Sequence, residues 1–310
     1  MKILVTGGAG YIGGIMTKRL LDDGHDVTVF DSIERGNESV VDDRAELVVE
    51  NLCNRNFVRK FLEENTFDAV VHFAAYISMA ESMQDPYIYF YNNVMGSLVL
   101  IEEMVKAGQN NLIFSSTAGV YGNPTIVPIP EDHEKNPTNP YGESKLMVER
   151  ILEWYGKIYN FHSVALRYFN AAGATLDTSL GEQHEPETHI IPNVVRSILE
   201  EKSFTLFGTD YDTLDGTCVR DYIHVLDLAE AHVLAINKLE SEPGQYVYNV
   251  GTGKGYSNKE VVEMVQKVSG KNIEVSFEDR RPGDAAVLVA NVDKINNELG
   301  FKPRHSDLES

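Results

Sequence analysis

Cysteine is nearly absent: Cys53 and Cys218 are the only two in 310 residues, too few for a disulfide framework and in keeping with a reducing compartment. Cations are scarce as well. Against 47 Asp and Glu stand 27 Lys and Arg, and a net charge of -20 argues against a surface built to hold nucleic acid. Any phosphate has to be held by local donors. No apolar run is long enough to span a bilayer, and the residues ahead of the first glycines are too few for a signal peptide. Internal repeats and low-complexity segments are missing too. These absences leave the expectation of a cytoplasmic globular chain that binds neither membrane nor nucleic acid, with material for one large or two moderate domains.

What is present begins with an apolar run over residues 2–6, as a buried parallel strand requires. Gly7-Gly-Ala-Gly10-Tyr-Ile-Gly13 follows and opens a helix expected to stop at Gly24. Glycines so placed permit a tight turn, close approach of backbone N–H groups to a pyrophosphate and close helix–strand packing. The helix N-terminus adds the positive end of a dipole, so an acidic chain can still bind phosphate. A second strand, 26–31, ends in Asp31, whose carboxylate would accept from a ribose 2′-hydroxyl and repel a 2′-phosphate. The cofactor expected is therefore NAD rather than NADP. Alternation continues through a strand at 45–50, a helix at 54–64, a strand at 68–75, a long helix at 86–107 behind Asp85 and a strand at 111–117. This pattern predicts an α/β fold, a Rossmann-type doubly wound parallel sheet with helices on both faces. Ligands in such sheets lie beyond the carboxyl ends of the strands, where Gly10, Asp31, Ala75 and Thr117 fall.

Asn139-Pro-Tyr141-Gly-Glu-Ser-Lys145 places a phenol and an ammonium one helical turn apart, with Asn139 as N-cap and Pro140 as the first helical residue. A free tyrosine is a poor base at neutral pH. A cation 4 Å away at an effective dielectric near 20 contributes roughly 4 kcal/mol, enough to bring the phenol towards neutrality. Ser115-Ser-Thr117 ends the preceding strand and offers a hydroxyl that can relay a proton to Tyr141.

Thr6-Gly-Gly-Ala-Gly-Tyr-Ile-Gly13, Ser115-Ser-Thr117, Val120-Tyr-Gly122, Tyr141-x-x-x-Lys145 and Arg167-Tyr-Phe-Asn170 together resemble the extended short-chain dehydrogenase/reductase superfamily. Within it the chain is similar to the UDP-glucose (UDP-galactose) 4-epimerases, through Asp215-Gly-Thr-Cys-Val-Arg-Asp-Tyr-Ile-His-Val225 and Arg280-Arg-Pro-Gly-Asp284. The resemblance spans essentially the whole chain. Superfamily members that eliminate or decarboxylate carry an acid after the position of Thr117, whereas this chain has Ala118-Gly119, which favours returning the hydride to the same carbon.

The resemblance implies that Tyr141, helped by Lys145 and the cofactor's positive charge, removes the sugar 4-hydroxyl proton directly or through Thr117. The C4 hydride would pass to NAD, and the 4-keto sugar would turn in the pocket and take it back on the other face. By the same resemblance the cofactor would be lined by Gly7, Gly10, Tyr11, Ile12, Gly13, Asp31, Ser32, Asn51, Leu52, Phe73, Ala74, Ala75, Asn93, Ser115, Tyr141, Lys145 and Tyr168. The UDP-sugar would meet Thr117, Tyr141, Asn170, His189, Thr205, Phe207, Arg220, Arg281 and Asp284. Arginine suits a pyrophosphate because a guanidinium presents a fixed fork of donors. Four positions depart from the family's pattern: Asn51 stands for an Asp near the adenine, Ile77 for a Lys near the cofactor ribose, and His189 for an Asn near the uridine. Leu288 occupies the fourth, where residue size tunes tolerance of N-acetylated sugars, so the sugar's 2-substituent is left open. Open too are a different UDP-sugar, such as UDP-glucuronate or a UDP-pentose, a net reductase, and a non-catalytic NAD sensor. The intact Thr117, Tyr141 and Lys145 weigh against the sensor.

Residues 1–173 are expected to form the NAD-binding domain, with segments around 219–251 returning to it. Residues 174–310 would then form a smaller α/β domain for the UDP-sugar. In that half 174–187 reads as a substrate lid, 192–202, 227–239, 257–269 and 292–299 as helices, and 245–250 and 273–277 as strands. His184-Glu-Pro-Glu-Thr-His189 has a metallic look, but its histidines are five apart rather than four and Pro186 spoils a helical turn, so no metal is expected. Gly251-Thr-Gly-Lys-Gly255 lacks the Ser or Thr that a P-loop needs after its lysine and reads as a turn. Ser306 or Asp307 looks like the cap of a further helix that continues past Ser310. Helices at 86–107 and 139–160 form the dimer interface in similar enzymes, and a homodimer is expected.

Overall fold

Ile3 and Val5 lie on one side of their strand and Leu4 on the other, and all three are buried, so the strand reads as an unbroken apolar run. The computed structural model describes residues 1–184, 186–281 and 284–309. Glu185 of the 184–189 segment and Pro282 and Gly283 of the 280–284 segment lie outside them. In the first half β1 (Lys2–Thr6), α1 (Tyr11–Asp22), β2 (Asp26–Asp31), β3 (Glu46–Val49), α2 (Arg55–Glu64) and β4 (Ala69–His72) alternate. Then come α3 (Met79–Gln84), α4 (Pro86–Tyr89), α5 (Gly96–Lys106), β5 (Asn111–Thr117), α6 (Pro140–Tyr159) and β6 (His162–Tyr168). The second half adds β7 (Asn170–Ala172), α7 (Ile190–Leu199), β8 (Phe204–Phe207), β9 (Val219–His224), α8 (Val225–Ser241) and β10 (Gln245–Val250). It ends with β11 (Gly255–Ser257), α9 (Asn258–Ser269), β12 (Val275–Glu278), β13 (Val287–Leu288) and α10 (Asp293–Leu299).

Seven strands form one parallel sheet in the order β10-β6-β5-β4-β1-β2-β3. Val5, Val71, Ile113 and Val164 face Met16 and Leu20 of α1 and Leu228, Ala231 and Ile236 of α8. Leu4, Val70, Leu112 and Ala165 face α2, α5 and α6 through Val58, Leu62, Leu100, Met104, Val148 and Leu152. Burying both faces in this way leaves the carboxyl ends of the strands as the open edge. Strand β10 pairs with β6 in register from Gln245 with Ser163 to Val250 with Tyr168, so the chain returns to this sheet after β9 and α8. The rest of the second half carries two small sheets, β11-β9-β13 with β7 beside β9, and β12-β8. Among the described residues, no helix is long and apolar enough to cross a membrane.

Two expectations need correction. The helix expected over 86–107 is interrupted by a π-helical turn, Phe90–Met95, which turns Asn93 fully inward. Its side-chain oxygen accepts from the Tyr76 N–H at 2.8 Å, and its amide donates to the Tyr76 carbonyl and the Ser144 hydroxyl. The strand expected over 68–75 stops at His72, so Phe73, Ala74 and Ala75 leave the sheet at its open edge. At the far end the Ser306 hydroxyl donates to Asp227 at 2.6 Å and accepts from the His224 N–H, strapping the segment onto the start of α8, and the Asp307 carboxylate accepts from the Glu309 N–H at 3.1 Å.

Candidate active site

A cavity of about 500 Å³ lies at the carboxyl edge of the seven-stranded sheet. The glycine turn forms its floor, and α1 starts there with Gly10 as N-cap and no side-chain cap, so the first N–H groups are left for a ligand. A methyl group built on Gly13 would overlap the Gly7 carbonyl oxygen, whereas one on Gly10 would come no nearer than 3.4 Å to other atoms of the protein. Gly13 thus serves packing, and the bare backbone at Gly10 serves whatever enters the cavity. Gly10→Ala should leave the melting temperature nearly unchanged yet weaken dinucleotide retention, while Gly13→Ala should cost about 1–3 kcal/mol of stability in a denaturant titration. Reversed outcomes for the two variants would contradict this division.

Asp31 ends β2 with its carboxylate accepting from the N–H groups of Ala9 at 3.0 Å and Ile33 at 2.9 Å, which fixes it at the cavity wall. Gly7, Tyr11, Ile12, Ser32, Asn51, Leu52, Phe73, Ala74, Ala75, Ser115 and Tyr168 also line the cavity. Asn51 donates to Glu34 at 3.0 Å and accepts from the Cys53 N–H, so its side-chain oxygen is already engaged. Asn93, expected to touch the cofactor, is not among the described walls. It holds Tyr76 and Ser144 instead. Absent from the expectations was the group beside Asp31, where Arg35 lies over the Tyr76 ring at 3.7 Å and makes a two-pronged bond to Glu81. Its signal was the charged Glu34-Arg35 pair directly after the acid-ended strand.

Tyr141 enters the cavity from the first turn of α6, whose start is set by Asn139 accepting from the Gly142 N–H at 2.8 Å. The Thr117 side chain at the end of β5 is near enough to act on the Tyr141 hydroxyl, favouring the ionised form. Lys145 lies one turn on, buried, and donates to the Ser115 carbonyl at 2.7 Å. In the protein alone, without the cofactor's charge, burial dominates both groups. Burial pushes Tyr141 up to about 12, with Thr117 opposing, and burial pushes Lys145 down to about 7. Desolvation disfavours the charged form of each group, raising the phenol and lowering the ammonium. Behind this pair Ser116 donates to Glu149, which Arg167 grips with two further bonds.

On the far side Asn170, Arg220, Asp284 and Leu288 line the cavity. Arg220 donates to the Ala285 carbonyl at 2.8 Å and lies 3.7 Å from Asp284. Thr205, Phe207 and Arg281 are not among the described walls: the first two belong to β8 in the separate β12-β8 sheet, and Arg281 sits 4.2 Å over the Phe207 ring. Lys145 also stands behind the wall rather than in it. The turn Gly251–Gly255 is no phosphate loop, because its N–H groups at Thr252 and Gly253 donate to the buried Asp221.

The remaining wall is the stretch from Gly181 to the start of α7, where Glu182, His184 and His189 border the cavity. His189 bonds to the Glu182 carboxylate, and His184 and His189 each lie near Glu187 at 3.8 Å. Burial and the carboxylates of Glu182 and Glu187 raise the Tyr11 phenol far above its ordinary range. Their spacing of five residues, with Pro186 between, argues against metal binding on a helix. The segment ahead of α7 is not a helix, and Glu182 joins from upstream.

Residues 3–251 match the NAD dependent epimerase/dehydratase family. The chain belongs to that family. Over 310 residues it is 45% identical to a UDP-glucose 4-epimerase of Lactobacillus helveticus, covering 100% of this chain and 94% of the relative. A UDP-glucose 4-epimerase from Brucella ovis crystallised with NAD superposes with a TM-score of 0.95 at 40% identity, over 99% of this chain and 95% of that one. The Bifidobacterium longum UDP-glucose 4-epimerase, crystallised with NAD+ and UDP, gives 0.94 at 38% identity over 100% and 95%. The family member described here thus shares its full length with nucleotide-sugar epimerases, and its seven-stranded sheet is theirs.

Proposed function

We propose that this chain is an NAD-dependent epimerase that interconverts UDP-galactose and UDP-glucose at C4 of the hexose. Tyr141 and Thr117 together in the cavity wall, with Lys145 buried one helical turn on and Ala118 and Gly119 rather than an acid following Thr117, is the observation that carries this. NAD suits the residues present: an uncapped helix start, an open Gly10 and a carboxylate at Asp31. Gly7, Gly10, Tyr11, Ile12, Gly13, Asp31, Ser32, Asn51, Leu52, Phe73, Ala74, Ala75, Ser115 and Tyr168 would hold it. When bound it accepts the hydride from the sugar C4 and gives it back on the opposite face. Tyr141 takes the 4-hydroxyl proton through Thr117 and later returns it. Arg220 with Asn170 and Asp284 holds the UDP, whose binding energy restrains a keto sugar that must rotate without escaping.

The chain then works as two parts, 1–173 with 219–251 carrying NAD and the remainder presenting the UDP-sugar. Its two free cysteines support a cytoplasmic location. Tyr87, Tyr91 and Met95 are exposed on one helical run, as are Trp154 and Ile158 on the neighbouring α6, which supports a homodimer through these faces. Light scattering at micromolar concentration should give the mass of two chains for the wild type and of one for Trp154→Lys/Ile158→Lys. A wild-type monomer would contradict the dimer.

Proton NMR of UDP-galactose with purified protein and no added NAD tests the activity. The anomeric signal of UDP-glucose should grow to an equilibrium mixture without net NADH. Silence there, persisting with added NAD, would overturn this assignment of substrate.

A further inference from the structure

Glu182, His184, Glu187 and His189 offer four ligand atoms that all lie within 4.8 Å of one another, on the segment that walls the cavity ahead of α7. His184 Nδ1 lies 3.2 Å from Glu182 Oε1 and 3.8 Å from Glu187 Oε2, and His189 Nδ1 lies 3.8 Å from Glu187 Oε1. A tetrahedral zinc with bonds of 2.0–2.1 Å has ligand-to-ligand edges of roughly 3.4 Å, which these three separations bracket, and an ion would take the place of the direct His189–Glu182 hydrogen bond. We propose that the four residues form a binding site for one divalent ion of the zinc class.

Three observations beyond proximity support the site. Glu187 is anchored for the purpose, since its Oε1 accepts from the N–H groups of Thr188 at 2.7 Å and His189 at 2.8 Å. Its Oε2 is buried without a hydrogen bond on a side chain only 1% exposed, and so is His184 Nδ1, which meets Glu182 off the bonding direction. Second, two carboxylates are buried side by side, and among the described residues neither forms an ion pair with a lysine or arginine. A divalent ion with two neutral imidazoles balances that charge. Third, the His189 side chain is 44% exposed, which leaves an entry path from solvent. The donor set of two imidazole nitrogens and two carboxylates selects zinc over calcium or magnesium, which take oxygen alone, and over metals that demand thiolates. A bound ion would pin the segment to the start of α7 and to Tyr11, whose ring meets His184 edge-on.

The test is independent of turnover. The full-length protein is stripped with EDTA, dialysed and titrated calorimetrically with zinc chloride in a non-chelating buffer. One equivalent should bind per chain, and cobalt(II) supplied instead should give the intense visible absorption of a tetrahedral site. Glu187→Gln, which keeps the side chain's size, and His189→Ala should each weaken zinc binding about a hundredfold or more. Circular dichroism identifies any variant that fails to fold. Absence of saturable zinc uptake by the wild type overturns the site in favour of imidazolium–carboxylate pairing alone. Zinc affinity within tenfold of wild type in a folded Glu187→Gln overturns it equally, by placing the ion elsewhere.

Discussion

Replacing Tyr141 by Phe should lower turnover by about 10³-fold or more while NAD stays bound. The substitution removes one oxygen and keeps the ring, which packs edge-on against Tyr89 at 6.5 Å between centroids, so neither fold nor cavity shape should change. What is lost is the proton acceptor at the sugar 4-hydroxyl, and general-base contributions run to about 10²–10⁴-fold. The phenol is pushed up to about 12 by burial in the protein alone, so at neutral pH it carries its proton until ligands arrive. Lys145 is pushed down to about 7 by the same burial, so its ammonium is only partly charged at neutral pH. The positive charge of bound NAD therefore has to supply part of the activation, and wild-type turnover should rise with pH as the phenol ionises in the complex. Thr117→Val should cost less than Tyr141→Phe, because the sugar hydroxyl can then reach the phenol directly. Anomeric proton NMR gives the rates, and absorbance of the nucleotide released on denaturation gives the bound NAD. Turnover within tenfold of wild type in Tyr141→Phe would remove the phenol from the chemistry and revive a non-catalytic NAD-binding role.

Much of this arrangement was readable because the elements concerned are local. The strand β1, the glycines after it and Asp31 at the end of β2 lie within thirty-one residues, and burial on both sheet faces made the strands plain apolar runs. Other features depend on partners distant in the chain. The π turn at Phe90–Met95 exists to aim Asn93 at Tyr76 and Ser144, and nothing periodic in the sequence marks it. Helix α3 did carry a local sign, Ser78 three residues before Glu81, and the Ser78 hydroxyl does accept from the Glu81 N–H. Thr205, Phe207 and Arg281 are assigned to the UDP side by likeness of motif, and β8 carries the first two in a small sheet with β12, outside the described cavity lining. The Tyr141–Lys145 spacing is legible in the sequence, while the burial that acts on both groups is not. Similarly, the meeting of Glu182 with the two histidines follows from a loop path, which no helical spacing rule describes.

Glu149→Ala should destabilise the protein by about 3–5 kcal/mol, the cost of stranding a buried charge. Glu149 and Arg167 are only 8% and 3% exposed, and Arg167 reaches both carboxylate oxygens, at 2.9 and 2.6 Å. Burial works against the guanidinium, which Glu149 offsets in the wild type, and without Glu149 an arginine still keeps its proton at neutral pH, so the charge cannot escape. The pair ties β6 to α6 and reaches further: Arg167 donates to the Tyr121 hydroxyl at 2.8 Å, Tyr121 to Asn249 of β10 at 2.7 Å, and Ser116 to Glu149 at 2.5 Å. Truncating Glu149 therefore strands Arg167 and loosens the residue next to Thr117 at the same time. If the charge is the cause, Glu149→Met/Arg167→Met should recover most of the loss, since an apolar pair of similar volume removes both desolvation costs together. Urea titration of the two variants beside the wild type measures this directly. A loss under about 1 kcal/mol for Glu149→Ala would mean that water reaches Arg167 in its place, and a double variant no better than the single one would assign the effect to lost packing instead.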